Sequence, residues 1–193
     1  MIINIPSPES LNDIALRLHF SAWSSLVNIR FDFDRAFEPG SDPSGDQWSD
    51  EWAEYLAACQ PELQSVYTLI QQSNELALRA RVCSVSPFLL LLGSERKYST
   101  TWRNVDFSEF RTLDAVELPG AVNTFCDETL SDKFIQSYNE VRSLRNKVAH
   151  LGYLSKQFNP EELLHTLVAQ YVELWRHRNW LSDRVQFARL RPA

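Results

Sequence analysis

Between Leu11 and Phe33 the residues Leu11, Ile14, Ala15, Leu18, Ala22, Leu26, Ile29 and Phe33 recur in steps that keep them on one face of a helix. This is the pattern of a long core helix, and Ser7 or Ser10 can cap its start with a hydroxyl. Composition agrees: only 5 glycines stand against 6 tryptophans in 193 residues, a balance that favours helices over a turn-rich β fold. That length suits one domain with a sizeable core. The expected fold is all-α, a single domain over 1–193.

Further along, Glu38-Pro39-Gly40-Ser41-Asp42-Pro43-Ser44-Gly45-Asp46 mixes helix breakers with acids, so 39–47 is expected to be an exposed loop. Ser49 or Asp50 restarts a helix through Cys59, and Pro61 suits the first turn of the next one. There Val66, Leu69, Ile70, Ala77 and Ala80 pack inward, with Glu75 and Arg79 as an exposed pair one turn apart. Phe88-Leu89-Leu90-Leu91-Leu92 is too short for periodicity to assign; among helices it is expected to be helical, ending at Gly93. The segment 94–105 reads as a connecting loop in which Arg96, Lys97 and Arg103 alternate with Tyr98 and Trp102. Cations neutralise phosphates and aromatic faces stack unpaired bases, so it suits single-stranded RNA; it equally suits a solvated loop anchored by Trp102. Asp106 to Cys126 is expected to carry a helix broken at Leu118-Pro119-Gly120. Ser131 caps the helix that follows, and Asn159-Pro160-Glu161-Glu162 starts another, whose core stripe is Leu163, Leu167, Tyr171 and Leu174. The tail 181–193 sets Arg184, Arg189 and Arg191 against Asp183, whereas Asp32 to Glu54 is acid-rich.

Several functions are disfavoured by what the chain lacks. A net charge of -6 argues against nonspecific coating of nucleic acid, so any RNA contact has to come from local patches. Cys59, Cys83 and Cys126 are odd in number and far apart, which suggests neither a disulfide framework nor a zinc site. Met1-Ile2-Ile3-Asn4-Ile5-Pro6 lacks the basic and apolar regions of a signal peptide, and no apolar run approaches membrane-spanning length. A cytoplasmic protein is expected. No glycine-rich phosphate loop, HExxH or Cys/His cluster occurs, so neither a metal nor another cofactor is implied.

The chemistry concentrates at Arg142-Ser143-Leu144-Arg145-Asn146-Lys147-Val148-Ala149-His150-Leu151-Gly152-Tyr153, late on the helix that Ser131 caps. Val141, Leu144, Val148 and Leu151 form an apolar stripe; Arg142, Asn146 and His150 lie four apart on the neighbouring one, with Arg145 beside Asn146 at the border. Guanidinium, amide and imidazole can thus converge on one anion. Gly152 stands where a left-handed helix cap belongs, which puts His150 in the last turn, where unpaired carbonyls favour a cation. His19, His165 and His177 have no arginine at the same offset.

This run resembles the R-x4-H signature, in its Arg-Asn form, of the HEPN superfamily of all-helical proteins, many of them metal-independent ribonucleases. Arg145, Asn146 and His150 are the matching positions. The resemblance implies an up-and-down helical bundle, here with extra helices and a long loop insertion. It implies a metal-independent endoribonuclease that cleaves single-stranded RNA by attack of the 2′-hydroxyl, a toxin or defence effector with Arg145, Asn146 and His150 as catalytic residues. It also implies a homodimer with the motifs at the interface. Around the motif, Arg142, Lys147 and Tyr153, with Arg96, Lys97, Trp102 and Arg103 of the loop, are the candidate RNA-binding residues. Some members are silenced by an antitoxin, a nucleotidyltransferase that modifies a tyrosine two residues after the histidine; here Tyr153 stands three after His150, a departure from that pattern. The alternatives are a catalytically silent helical dimerisation module and a nucleotide-binding partner of a nucleotidyltransferase.

Overall fold

Ser7 opens the first helix as its cap, its Oγ accepting from the Ser10 amide at 3.1 Å, and helix α1 then runs over Pro8–Ala36. The computed structural model describes residues 1–36, 45–92, 104–151 and 157–188, and within them the side chains of all but 45–47, 148–151 and 188. Its further helices are α2 Gly45–Ala58, α3 Gln60–Val85, α4 Leu118–Phe125, α5 Asp132–Leu151, α6 Pro160–Leu174 and α7 Trp180–Ala188. Two short strands, β1 Ile2–Ile3 and β2 Val105–Asp106, pair in parallel, Ile2 opposite Val105. The fold is all-α, and no helix among the described residues is long and apolar enough to cross a membrane.

The core divides into two clusters whose membership sets the direction of each helix. In one, Ala15, Leu16 and Phe20 of α1 meet Ala77, Leu78 and Val82 of α3, Phe134 and Tyr138 of α5, and Tyr171 and Leu174 of α6. In the other, Ala22, Leu26 and Ile29 meet Leu63, Val66 and Ile70, then Val141 with Leu144, and Leu163 with Leu167. The start of α1 therefore lies against the end of α3, the start of α5 and the end of α6. The four long helices alternate up and down, and the last turns of α5 lie at the end of the bundle where α2 packs.

Local signals place most helix starts. Pro61 stands in the first turn of α3. Ser131 Oγ accepts from the Phe134 amide at 3.2 Å, and Asn159 Oδ1 from Glu161 at 2.8 Å. Leu163, Leu167, Tyr171 and Leu174 are all buried, as are Val66, Ile70, Ala77 and Ala80, with Leu69 half-buried beside them.

Elsewhere the structure corrects the expectations. α2 begins at Gly45, earlier than Ser49, so the 39–47 loop ends sooner; Pro39 to Ser44 lie outside the described residues. Ile14 is exposed, while Leu16, His19 and Phe20 are buried, because α3, α6 and α7 together cover a wider arc of α1 than one stripe. Phe88 and its neighbours make only a 3-10 turn, Pro87–Leu90, before Leu91 bridges to Thr112 in antiparallel sense. Val105, assigned to the 94–105 loop, is a strand residue whose amide donates to the Met1 carbonyl at 3.0 Å. Asp106 and Glu109 cap each other as at a helix start, yet only the 3-10 turn Phe107–Glu109 follows; the helix waits for Leu118-Pro119. Glu75 accepts from Gln71 at 2.9 Å, and Arg79 reaches Thr112 and the Leu113 carbonyl, so these two are half-buried and turned to other partners. The tail is helical to Ala188, with Asp183 and Phe187 buried.

One buried group makes the fold acid-sensitive. His19 is walled by the rings of Phe20, Tyr171 and Trp175 at 5.1, 5.4 and 5.5 Å, and its Nε2 has no partner among the described residues. Burial lowers its pKa to about 4, against 6.5 for an ordinary histidine. The neutral ring is the folded form, so its contribution is complete above about pH 6.5 and is lost as the pH falls towards 4. Roughly 3 kcal/mol should disappear over that interval. Urea unfolding at pH 7 and pH 4.5 should show this loss in the parent and a much smaller one in His19→Leu; equal losses would assign the acid sensitivity to other groups.

Candidate active site on the last turns of α5

α5 exists because Phe134, Tyr138 and Val141 bury one face, with Leu144 packed at its edge. Tyr138 is pinned, its hydroxyl donating to the Ala115 carbonyl at 2.7 Å. Burial, the largest influence, pushes that phenol above its ordinary range; the Glu75 carboxylate adds to the rise, while Gln71, Arg142 and Arg79 oppose it. At the other end of α5, Gln60 fixes the chain entering α6: its amide donates to the Phe158 carbonyl at 3.1 Å and accepts from the Phe158 amide at 2.8 Å. Phe158 is buried against Tyr67, ring centroids 5.0 Å apart. The separation of 98 positions between Gln60 and Phe158 explains why no local pattern announces this clamp.

Arg145 and Asn146 are half-buried and bonded to each other, Arg145 Nη1 donating to Asn146 Oδ1 at 3.1 Å. The amide orientation follows from chemistry, since a guanidinium has only donors and the amide must turn its oxygen to it. With Oδ1 so occupied, the pair offers N–H groups to a third molecule. It is therefore suited to an anion, and a phosphate oxygen fits a fork of donors.

Helix geometry gives Asn146 a second role. Residues five apart on an ideal α-helix project about 140° from one another, so Arg145 and His150 do not share a direction. Residues four apart are separated by only about 40°, which puts Asn146 on the His150 side. The hydrogen bond draws the guanidinium round the helix towards that side. His150 belongs to α5, whose described span ends at Leu151; its imidazole lies outside the described side chains.

Arg142 is half-buried, and its Nε is enclosed with no hydrogen-bond partner among the described residues. Lys147 is exposed and lines a shallow hollow on α5 with Asn139 and Ser143. The structure thus brings Arg145 and Asn146 together and places Arg142 one turn before Asn146 and Lys147 just after it. Gly152, Tyr153, Arg96, Lys97, Trp102, Arg103, Arg189 and Arg191 lie outside the described residues. Among the described residues no group of three His, Cys, Asp or Glu side chains is arranged to hold a metal ion. Compared with protein-family models, curated proteins and solved structures, the chain finds no match.

Proposed function

We propose that this chain is a metal-independent endoribonuclease of HEPN type, acting on single-stranded RNA as a toxin or defence effector. The observation that carries the reading is the Arg145–Asn146 hydrogen bond, which occupies the amide oxygen and leaves the pair only N–H groups for an anion, with Asn146 one turn before His150. In RNA the ribose 2′-hydroxyl already lies next to the phosphate. A base removes its proton, the 2′-oxygen bonds to phosphorus, the bond from phosphorus to the 5′-oxygen breaks, and that oxygen receives a proton. The products are a 2′,3′-cyclic phosphate and a free 5′-hydroxyl. The imidazole of His150 serves proton transfer; Arg145 holds the charge that gathers on the phosphate in the transition state. A single motif has one histidine for two transfers, so two copies facing across a two-fold axis make the more complete site. Arg142 and Lys147 extend the positive strip along the strand.

A second reading is a silent interaction module. It is favoured by the half-buried setting of Arg145 and Asn146, which already bond to each other within one chain. The deciding experiment incubates the parent and His150→Ala with mixed single-stranded RNA in EDTA and analyses the product ends. Cleavage by the parent alone, leaving cyclic phosphates, supports the nuclease; equal cleavage by both proteins, or none by either, favours the module.

A further inference from the structure

The outward face of α6 carries residues that suit a helix partner better than water. Glu161, His165, Val168 and Val172 follow one another at spacings of four, three and four, the seam of a helix that packs on another helix, and all are exposed. Val168 and Val172 are 44% and 61% exposed, although β-branched side chains are weak helix formers and charged residues would serve a solvated face better. Beside this ridge lies a hollow of about 510 Å³ between α5 and α6, with Phe134 and Ala169 among its walls. One chain thus carries a ridge and, next to it, a concavity able to receive one.

The charges indicate what covers them. The Ser131 amide donates to Glu173 at 2.7 Å, so the start of α5 lies beside the end of α6, and Lys133 lines the hollow there with Val172. Glu161 stands at the other end of α6. Both charges are exposed, and neither has a side-chain partner among the described residues. Within one chain they cannot meet, since the twelve residues from Glu161 to Glu173 span about 18 Å of helix.

We infer that a second copy of this chain covers this face, each α6 lying antiparallel to the other across a two-fold axis. That axis carries the start of each α6 to the end of the other, so the valines of one copy enter the hollow of its partner and each Glu161 meets the partner's Lys133. A parallel pair would set Glu161 against Glu161 and leave Lys133 without an acid. An unrelated helix would have to supply the ridge and both charges separately, whereas one two-fold axis supplies all of them from this sequence. α6 is about 22 Å long and about 10 Å wide, so the interface is at the small end for specific association and a micromolar dissociation constant is expected. This is not the side of α5 that carries the motif: Ser137 in the hollow and Asn146 are nine residues apart, about 180° round the helix. The pairing stands independently of the nuclease reading and would add to any dimer formed at the motif.

Sedimentation velocity of the full chain across the micromolar range tests this. The mass of the parent should rise with concentration. Glu161→Lys and Lys133→Glu should each weaken association about tenfold, because the two-fold axis repeats every like-charge contact. An equimolar mixture of the two variants should recover it, since the mixed pair sets opposite charges against each other at both contacts. Val172→Glu, which would press an unpaired carboxylate into each hollow, should weaken association about a hundredfold with little change in Tm. A parent whose mass stays constant, Val172→Glu associating as the parent does, or charge variants that stay apart when mixed would each overturn the proposal. His150→Ala should associate as the parent does whatever it does to cleavage, so failure of this face and failure of the nuclease reading give different results.

Discussion

Replacing His150 with alanine should lower the rate of RNA cleavage by about 10²–10⁴-fold, the usual contribution of a positioned acid–base group. Arg145→Ala should fall in a similar range, since removing one preorganised donor from a developing oxyanion costs about 10²–10³-fold. The informative variant is Arg145→Lys. It keeps the charge but has neither the fork nor the reach to bond Asn146 and the phosphate together, so it should recover only a small part of the loss. Asn146→Asp should be nearly as damaging, because a carboxylate in place of the amide would still hold the guanidinium but set a negative charge at the phosphate. Single-turnover cleavage of a labelled RNA, with Tm measured alongside, checks all four. Full activity in Arg145→Lys would show that a point charge suffices and would remove the argument built on the 3.1 Å hydrogen bond. A loss of Tm parallel to the loss of rate would instead assign these residues to the fold.

How far the sequence discloses this molecule depends on the range of each interaction. Ser7, Ser131, Asn159 and Pro61 act within one helical turn, so their signals are local and legible. The stripe on α1 is legible too, but it misses three of the eight residues buried on that helix, Leu16, His19 and Phe20; His19 and Phe20 meet rings of α6 and α7, and the polar ring of His19 hides that layer from a hydrophobic pattern. The parallel pairing of Ile2–Ile3 with Val105–Asp106 has two residues a side, too few to show alternation. Arg145, Asn146 and His150 are visible as a motif because they are sequence neighbours. That Arg145 and Asn146 bond to each other needs coordinates.

The same contrast decides what Asp183→Ala will do. From sequence, Asp183 is a lone acid in a basic tail; in the structure it is buried and takes three hydrogen bonds. Arg178 donates to both of its oxygens at 2.7 Å, and the Tyr171 hydroxyl donates at 2.8 Å. Burial alone would raise this carboxyl, but the bonds from Arg178 and Tyr171 and the guanidinium charge bring it below its ordinary value. Alanine would strand the buried Tyr171 hydroxyl and leave Arg178, 39% exposed, to be only partly hydrated. The expected loss is about 3 kcal/mol, less than for a fully buried pair because Arg178 can still reach water. For a chain of this length that lowers Tm by roughly 10 °C. Tyr171→Phe should cost only about 1 kcal/mol, the value of one hydrogen bond with its carboxylate partner still held by Arg178. Because Asp183 ties α7 to the end of α6, hydrogen exchange should rise first in α7, where Phe187 and Trp180 would lose their hold on Phe20. That end of the bundle is opposite the last turns of α5. Asp183→Ala, assayed well below its Tm, should therefore cleave RNA at the parental rate, which makes it the stability control for the motif variants; a cleavage defect as deep as that of His150→Ala would show that the two ends are coupled.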